Sequence, residues 1–319
     1  MMRSLDQLVE AARRLRPARV AVAVGHDPDV LEGLGRAESI GLAEGIYVGD
    51  PRKIRSAAEA VGVAVAPDRI VAEEDDSIAV YRAIALVREH QADLLMKGKV
   101  TTAALIRAIL DRDSGLRTGR LLSQVIVFQV PGIERLMLLS DAAINIAPTL
   151  AEKADICRNA IEVAHAIGIE QPKVALLAAL ELVNLDMPAT VDAAALTQMN
   201  RRGQIAGAYL EGPIALDAVL SRFAADRKGI DSPLVEGTDV LVAPDIEAAN
   251  ILYRSILYFA NGQSGGIVVG ARVPVILLSR AETPETKLRS IAIAMLTAAA
   301  GPPDERGPGR DREVGAASQ

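Results

Sequence analysis

Apolar residues in this chain fall into short runs separated by longer stretches in which they recur every three or four positions. The runs ARVAVAVG (18–25), GIYVGD (45–50), DRIVA (68–72) and DLLMKG (93–98) are β-branched or leucine-rich and end abruptly, as buried strands do. Between them, DPDVLEGLGRAESIGLA (27–43), PRKIRSAAEAVG (51–62) and DSIAVYRAIALVREH (76–90) carry helical periodicity. This alternation predicts βαβ units and a mostly parallel sheet with helices on both faces. The pattern changes at SQVIVFQVPG (123–132) and RLMLLSD (135–141), two extended runs joined by a short turn with no helix between them. An antiparallel pair is expected there, with a domain ending nearby.

Alternation then resumes. Helix TLAEKADICRNAIEVAHAIG (149–168) leads to strand KVALLAAL (173–180), helix TVDAAALTQMNRRG (190–203) and strand GAYLEGP (207–213). A helix from about residue 214 follows, then strand TDVLVAP (238–244), helix IEAANILYRSILYFA (246–260) and strands GGIVVGA (265–271) and VPVILLS (273–279). A last helix runs from Pro284 to about Ala300, opened by the N-cap Thr283, a first-turn proline and the first-turn acid Glu285. The expected organisation is α/β, with two α/β domains of mostly parallel sheet. Residues 1–144 plus 281–300 make the first domain and 145–280 the second, and the Pro-, Gly- and charge-rich segment 301–319 is a disordered tail.

Composition narrows the function classes. A chain of 319 residues exceeds one average core, and its apolar half is mostly Ala, Val, Ile and Leu with no tryptophan. A formal charge of −6 argues against a nucleic-acid binder or an anionic-membrane surface. The single cysteine, Cys157, lies in a helix-periodic segment and has no internal partner, so a structural thiol in a reducing compartment is expected. No apolar run approaches the roughly 20 residues of a membrane span, and the first residues carry charges where a signal peptide would be apolar. A cytoplasmic protein is expected.

Candidate chemistry gathers at predicted strand ends: Lys97-Gly98-Lys99, Glu211-Gly212-Pro213, Ala243-Pro244-Asp245 and Ser279-Arg280. In open α/β sheets ligands bind beyond the carboxyl ends of strands, so a hydroxyl and a guanidinium at 279 and 280 are candidates to hold an anion. The plainer reading is a turn serine and a solvated arginine. Lys97, Lys99, Arg107, Arg117, Arg120, Arg135 and Arg280 form a basic set suited to phosphate in an otherwise acidic chain. Other constellations are absent: no GxxxxGK[ST], GxGxxG or GxSxG, and no metal-like spacing among His26, His90 and His165. An enzyme with this inventory needs no covalent protein nucleophile.

Six segments in order, DLLMKGKVTTAALIRAIL, LMLLSDAAINIAPTL, KVALLAALELVN with MPATVDAAAL, RGQIAGAYLEGPIALD, APDIEAANILYRSILYFA and VPVILLSRA, together resemble the phosphate acetyl/butyryl transferase family. The match spans about residues 18 to 296 and looks closer to the butyryltransferase branch. The resemblance implies two α/β domains of the isocitrate/isopropylmalate dehydrogenase-like kind, with the active site in the interdomain cleft. It also implies reversible transfer of a short acyl group from coenzyme A to inorganic phosphate, by direct attack in a ternary complex. No tightly bound cofactor is expected; coenzyme A is substrate and product. A homodimer or higher homo-oligomer is implied as well.

By the same resemblance Ser279 and Arg280 are the catalytic pair, Arg280 on phosphate and Ser279 on the thioester carbonyl or the departing sulfur. Lys97, Arg117, Arg120, Ser123, Arg135, Asn145, Gly212, Pro213, Asp245 and Asn250 make up the candidate substrate-binding set. In the acetyltransferase branch an aspartate follows the Ser-Arg pair as the proposed thiol base; this chain reads AETPETK there, with Glu282 and Glu285 the nearest carboxylates. The base stays open. Three rival readings remain: phosphate acetyltransferase, an NAD(P)-dependent decarboxylating dehydrogenase of similar fold, and an inert binding relative.

Overall fold

Side chains placed just ahead of each helix explain where the helices of the first half begin. In the computed structural model, which describes residues 2–278 and 282–301, α1 (Leu5–Ala12) leads into β1 (Ala18–Ala23), α2 (Pro28–Ser39), β2 (Ala43–Gly49) and α3 (Pro51–Ala60). Next come β3 (Ile70–Ala72), α4 (Asp76–Arg88), β4 (Leu94–Lys97) and α5 (Thr102–Ile109). The carboxylates of Asp27, Asp50 and Asp75 accept from the second and third amides of α2, α3 and α4. Pro28 and Pro51 take the first helical position, where a missing N–H costs nothing.

Strands β5 (Ser123–Gln129) and β6 (Met137–Ser140) follow with no helix between them, as the paired extended runs predict. They are antiparallel, with Val125 opposite Ser140 and Phe128 opposite Met137. The chain continues through α6 (Leu150–Ala166), β7 (Lys173–Leu177), α7 (Pro188–Arg201), β8 (Tyr209–Ile214), α8 (Leu216–Leu220), α9 (Arg222–Arg227), β9 (Val240–Val242), α10 (Ile246–Tyr258), β10 (Gln263–Val269), β11 (Val275–Ile276) and α11 (Pro284–Ala300).

Two expectations change in detail. The helix expected from residue 214 is broken at Ser221, whose extended backbone ends α8 while its hydroxyl caps α9 through the Ala224 amide. The strand expected over 273–279 is only two residues long. Pro274 cannot donate to a ladder, and the Gly266 amide of β10 donates instead to Ser290 Oγ of α11, at 2.9 Å.

The strands form one sheet in the order β3-β2-β1-β4-β11-β10-β5-β6-β9-β7-β8. Neighbours are parallel except for β11–β10, β10–β5 and β5–β6. Those three successive reversals make the parallel group ending at β11 run opposite to the group beginning at β6. Both groups therefore end at the central β10–β5 pair from opposite directions.

Successive residues of the inner strands feed opposite faces. Val125 and Val127 join the core under α6, α7 and α11, whereas Ile126 and Phe128 join the core under α8 and α10. Likewise Leu94 and Met96 of β4 lie on the first face and Leu95 lies with α4 and α5 on the other. A sheet covered on both faces explains why its strands read as continuous apolar runs. Among the described residues no helix is long and apolar enough to cross a membrane.

Candidate functional site

A cavity of about 360 Å³ opens where the two strand groups meet. Gln124 and Ile126 of β5 and Gly266 of β10 form its floor, with Gly266 directly opposite Ile126 in the ladder. Lys97 at the end of β4, Leu277 and Leu278 just past β11, and Ala142 and Ala143 just past β6 make up part of its wall. Val100, Thr101 and Thr102 at the start of α5, and Asn250, Tyr253 and Arg254 of α10, supply the rest, together with Glu282.

Local sequence accounts for each placement. Thr101 caps α5 by accepting from the Ala104 amide, which leaves other first-turn amides free to meet an anion. Asp245 caps α10 in the same way through the Ala248 amide, fixing where that helix starts. Residues three and four apart share a helix face, so Asn250, Tyr253 and Arg254 reach the cavity together. Asn250 Nδ2 donates to the Ala142 carbonyl at 3.2 Å and ties α10 to the β6 loop.

That loop is organised by Asp141. One carboxylate oxygen accepts from the amides of Gln124, Ala143 and Ile144, and the other from the Asn145 amide and side chain, the last at 2.6 Å. Burial raises the Asp141 carboxyl above its ordinary range, although these donors act against the shift.

The charged part of the site is a knot around Glu282. Its carboxylate accepts from the Tyr253 hydroxyl at 3.2 and 3.3 Å and from Arg254 Nη1 at 3.4 Å, and Tyr253 also meets Ser264 Oγ at 3.1 Å. The Arg254 guanidinium stacks over the Tyr253 ring at 5.0 Å from its centroid. Lys287, only 3% exposed, donates to the Glu282 backbone carbonyl at 2.6 Å. Thr283 caps α11 through the Thr286 amide, as expected from the sequence, and Arg36 of α2 pairs with Glu285. Burial, followed by the Glu282 charge, pushes the Tyr253 phenol far above its usual value, so it is a neutral donor.

The residues singled out from sequence are distributed unevenly. Lys97 and Asn250 line the cavity, and Asp245 and Asn145 act one step behind it, Asp245 as the α10 cap and Asn145 through Asp141 and the Leu122 carbonyl. Arg120 and Ser123 do not line it. Arg120 donates to Asn159 Oδ1 and Glu162 at 2.6 and 2.7 Å, and Ser123 Oγ accepts from Asn159 Nδ2 at 2.7 Å. Arg117 is exposed and bridges to Ala271.

Arg135 precedes β6 and donates to the Thr238 carbonyl, whereas it is the opposite end of β6 that reaches the cavity. Gly212 and Pro213 lie in β8 at the outer edge of the sheet; the Gly212 amide donates to Thr197 Oγ1, and the Gly212–Pro213 peptide is cis. Ser279 and Arg280, the pair expected from the sequence to be catalytic, lie outside the described residues. Sequence reading missed Thr101, Thr102, Tyr253, Arg254 and Gly266. The signal for two of them was the spacing of Asn250, Tyr253 and Arg254 on one helix face. Among the described residues no group of three or more His, Cys, Asp or Glu side chains is arranged to hold a metal ion.

Residues 68–295 match the family described as phosphate acetyl/butaryl transferase. The phosphate butyryltransferase of Clostridium acetobutylicum is 43% identical over 298 residues, which cover 93% of this chain and 99% of that protein. The phosphate acetyltransferase of Thermotoga maritima is 41% identical, covering 92% of this chain and 99% of the relative. Among solved structures, a branched-chain phosphotransacylase from Enterococcus faecalis superposes with a TM-score of 0.77 at 32% identity, covering 88% of this chain and 99% of the other. By sequence and by fold, this chain belongs to the phosphate acetyl/butyryl transferase family.

Proposed function

We propose that this protein is a phosphate acyltransferase of the butyryltransferase type, and that the cavity at the β10–β5 pair is where a short acyl group passes between coenzyme A and phosphate. The observation that carries this reading is the position of Leu278 and Glu282. They flank residues 279–281 in sequence, and both line the cavity that also holds Lys97, Arg254 and the start of α5. Ser279 and Arg280 fall between these two lining residues in the sequence.

A phosphate oxygen attacks the thioester carbonyl carbon, the C–O bond forms, the C–S bond breaks and coenzyme A leaves as its thiol after taking up a proton. The protein's task is to hold two anions together and to stabilise the oxyanion on the carbonyl. Arg280, Lys97 and the α5 amides bind phosphate, and Ser279 donates to the carbonyl oxygen or the leaving sulfur. Arg254 adds positive charge on the α10 side. Ile126 of the floor and the small residues Ala142, Ala143 and Gly266 favour a four-carbon chain over acetyl.

In this reading residues 1–144 with 281–300 and residues 145–280 are two domains meeting at an interdomain cleft, in the manner of isocitrate and isopropylmalate dehydrogenases. Their strands share one sheet, and β11 of the second segment pairs with β4 of the first. The protein acts in the cytoplasm as a homo-oligomer, with no tightly bound cofactor.

The test is release of free thiol from acetyl-, propionyl-, butyryl- and isobutyryl-CoA, with and without phosphate, by the wild type and by Arg280→Ala. Phosphate-dependent release with a maximum at four carbons, reduced about 100- to 1000-fold in the variant, is the expected result. A maximum at acetyl would make the protein an acetyltransferase, and no phosphate-dependent release from any ester would refute the reading.

A further inference from the structure

Gly265 and Gly266 are adjacent in β10, where each costs the strand a packed side chain and a loss of backbone freedom on folding. Gly265 is explained by the helix beneath it. A Cβ at Gly265 would stand 2.8 Å from Ile293 Cδ1 and 3.0 Å from the Arg289 carbonyl carbon, so α11 could not pack as closely.

Gly266 faces the opposite side of the sheet, toward the cavity, and neither usual reason for a glycine applies to it. Its φ is not in the left-handed region. A Cβ there would meet Ile126 Cγ1 at 3.5 Å and the Val125 carbonyl oxygen at 3.6 Å, both ordinary contacts. Among the described residues the fold has room for alanine at this position. What an added methyl would take up is the cavity floor beside Ile126.

We propose that Gly266 is a specificity-determining residue: it keeps the floor clear for the acyl chain and, with Ile126 opposite, sets the chain length the cavity accepts. The proposal rests on the acyl-transfer reading of this cavity given above. Ile126, Ala142 and Leu277 provide apolar surface for a hydrocarbon, while phosphate and the thioester carbonyl require donors such as Lys97 and the α5 amides. Glycine at a strand position that the described residues leave uncrowded is accounted for by close approach of a ligand.

The experiment measures kcat/KM with phosphate for acetyl-, butyryl- and valeryl-CoA in the wild type, Gly266→Ala and Ile126→Val. One methyl group in an apolar pocket discriminates by about 10-fold or more, so Gly266→Ala should lower the butyryl-to-acetyl ratio by at least that factor. Ile126→Val, which removes a methyl from the same floor, should raise the valeryl-to-butyryl ratio. Unchanged ratios in variants that melt like the wild type would overturn the proposal, as would a Gly266→Ala protein that fails to fold, because the argument requires a fold indifferent to that methyl. A wild type that releases no thiol from any ester refutes the acyl-transfer reading itself and takes the proposal with it, a result distinct from a shift that fails to appear in the variants.

Discussion

The Tyr253 hydroxyl donates to the buried Glu282 carboxylate, joining α10 to the residue that follows segment 279–281. Removing the donor while the acceptor stays buried costs about 1–3 kcal/mol. Tyr253→Phe is therefore expected to lose stability in that range and, under the proposed function, to lower kcat/KM for phosphate-dependent thiol release, since Glu282 lines the cavity next to Arg254. A double-mutant cycle with Glu282→Gln measured by urea unfolding should give a coupling energy of at least about 0.5 kcal/mol. Because burial holds the phenol protonated, Tyr253 should contribute no step to the pH–rate profile below pH 10. Additive effects of the two substitutions would mean that the contact does no positioning.

The alternation of strands and helices was readable because both faces of this sheet are covered, which turns each inner strand into an unbroken apolar run. The hairpin was readable for the same reason, from two such runs with no helix between them. The site was less legible. Lys97 sits at a strand end, where ligands bind in open sheets, and was found on that ground. Arg120 has the right chemistry but a competing partner: Asn159 and Glu162, some forty residues later in α6, claim its guanidinium, and no local pattern in the sequence reports that pairing. Arg254 sat in plain view on an amphipathic helix, but only the tertiary arrangement decides whether its face meets a cavity or solvent. Gly266 was legible only as a strand glycine, since what it faces depends on register.

Asn159 is fully buried and serves three partners: it donates to the Leu121 carbonyl and to Ser123 Oγ and accepts from Arg120. Asn159→Ala removes the donor to the Leu121 carbonyl and Ser123 Oγ in the interior, while Arg120 keeps Glu162. A loss of about 2–4 kcal/mol is expected, close to the sum of two unsatisfied polar groups. Arg120→Ala, with its guanidinium partly in solvent, should cost less than half as much. Thermal or urea unfolding of both variants decides the order, and an equal cost would place the weight of the network on the arginine instead.

Gly265→Ala should destabilise the protein by about 1–3 kcal/mol, the usual cost of overpacking, because the obstacle includes helix backbone as well as the flexible end of Ile293. Ile293→Val in the same chain removes part of the clash and should recover part of the loss. Failure of that rescue would point to the Arg289 backbone as the dominant obstacle.

Asp93 provides a pH-dependent contribution remote from the site. Partial burial would by itself raise its carboxyl, but hydrogen bonds from Arg16 and Arg19 outweigh burial and hold it well below the usual range. A carboxyl depressed in the folded state stabilises the protein fully above its unfolded pKa of about 3.9, and that contribution is lost as pH falls toward the folded value. Asp93→Asn should therefore be less stable than the wild type by about 1–3 kcal/mol at pH 7. Urea unfolding should show a constant gap between pH 7 and about 5 that narrows below about pH 4. A gap independent of pH down to 3 would assign the effect to packing.

Cys157 tests the expectation that no protein thiol takes part in catalysis. It is fully buried in α6, and burial pushes its thiol up to about 12. A thiol with that pKa is overwhelmingly protonated at pH 8, so a disulfide reagent should leave the native protein unmodified while titrating one thiol per chain in denaturant. Cys157→Ala should keep acyl transfer at the wild-type rate and lose about 1–2 kcal/mol of stability to the small cavity. The sign of its pH dependence follows from the raised value. The neutral thiol favoured by the fold contributes its full stability below the unfolded pKa of about 8.5, and the wild type should lose ground to Cys157→Ala as pH rises from there toward 10. Rapid labelling of the native protein, or a large fall in turnover in Cys157→Ala, would make the thiol a catalytic candidate.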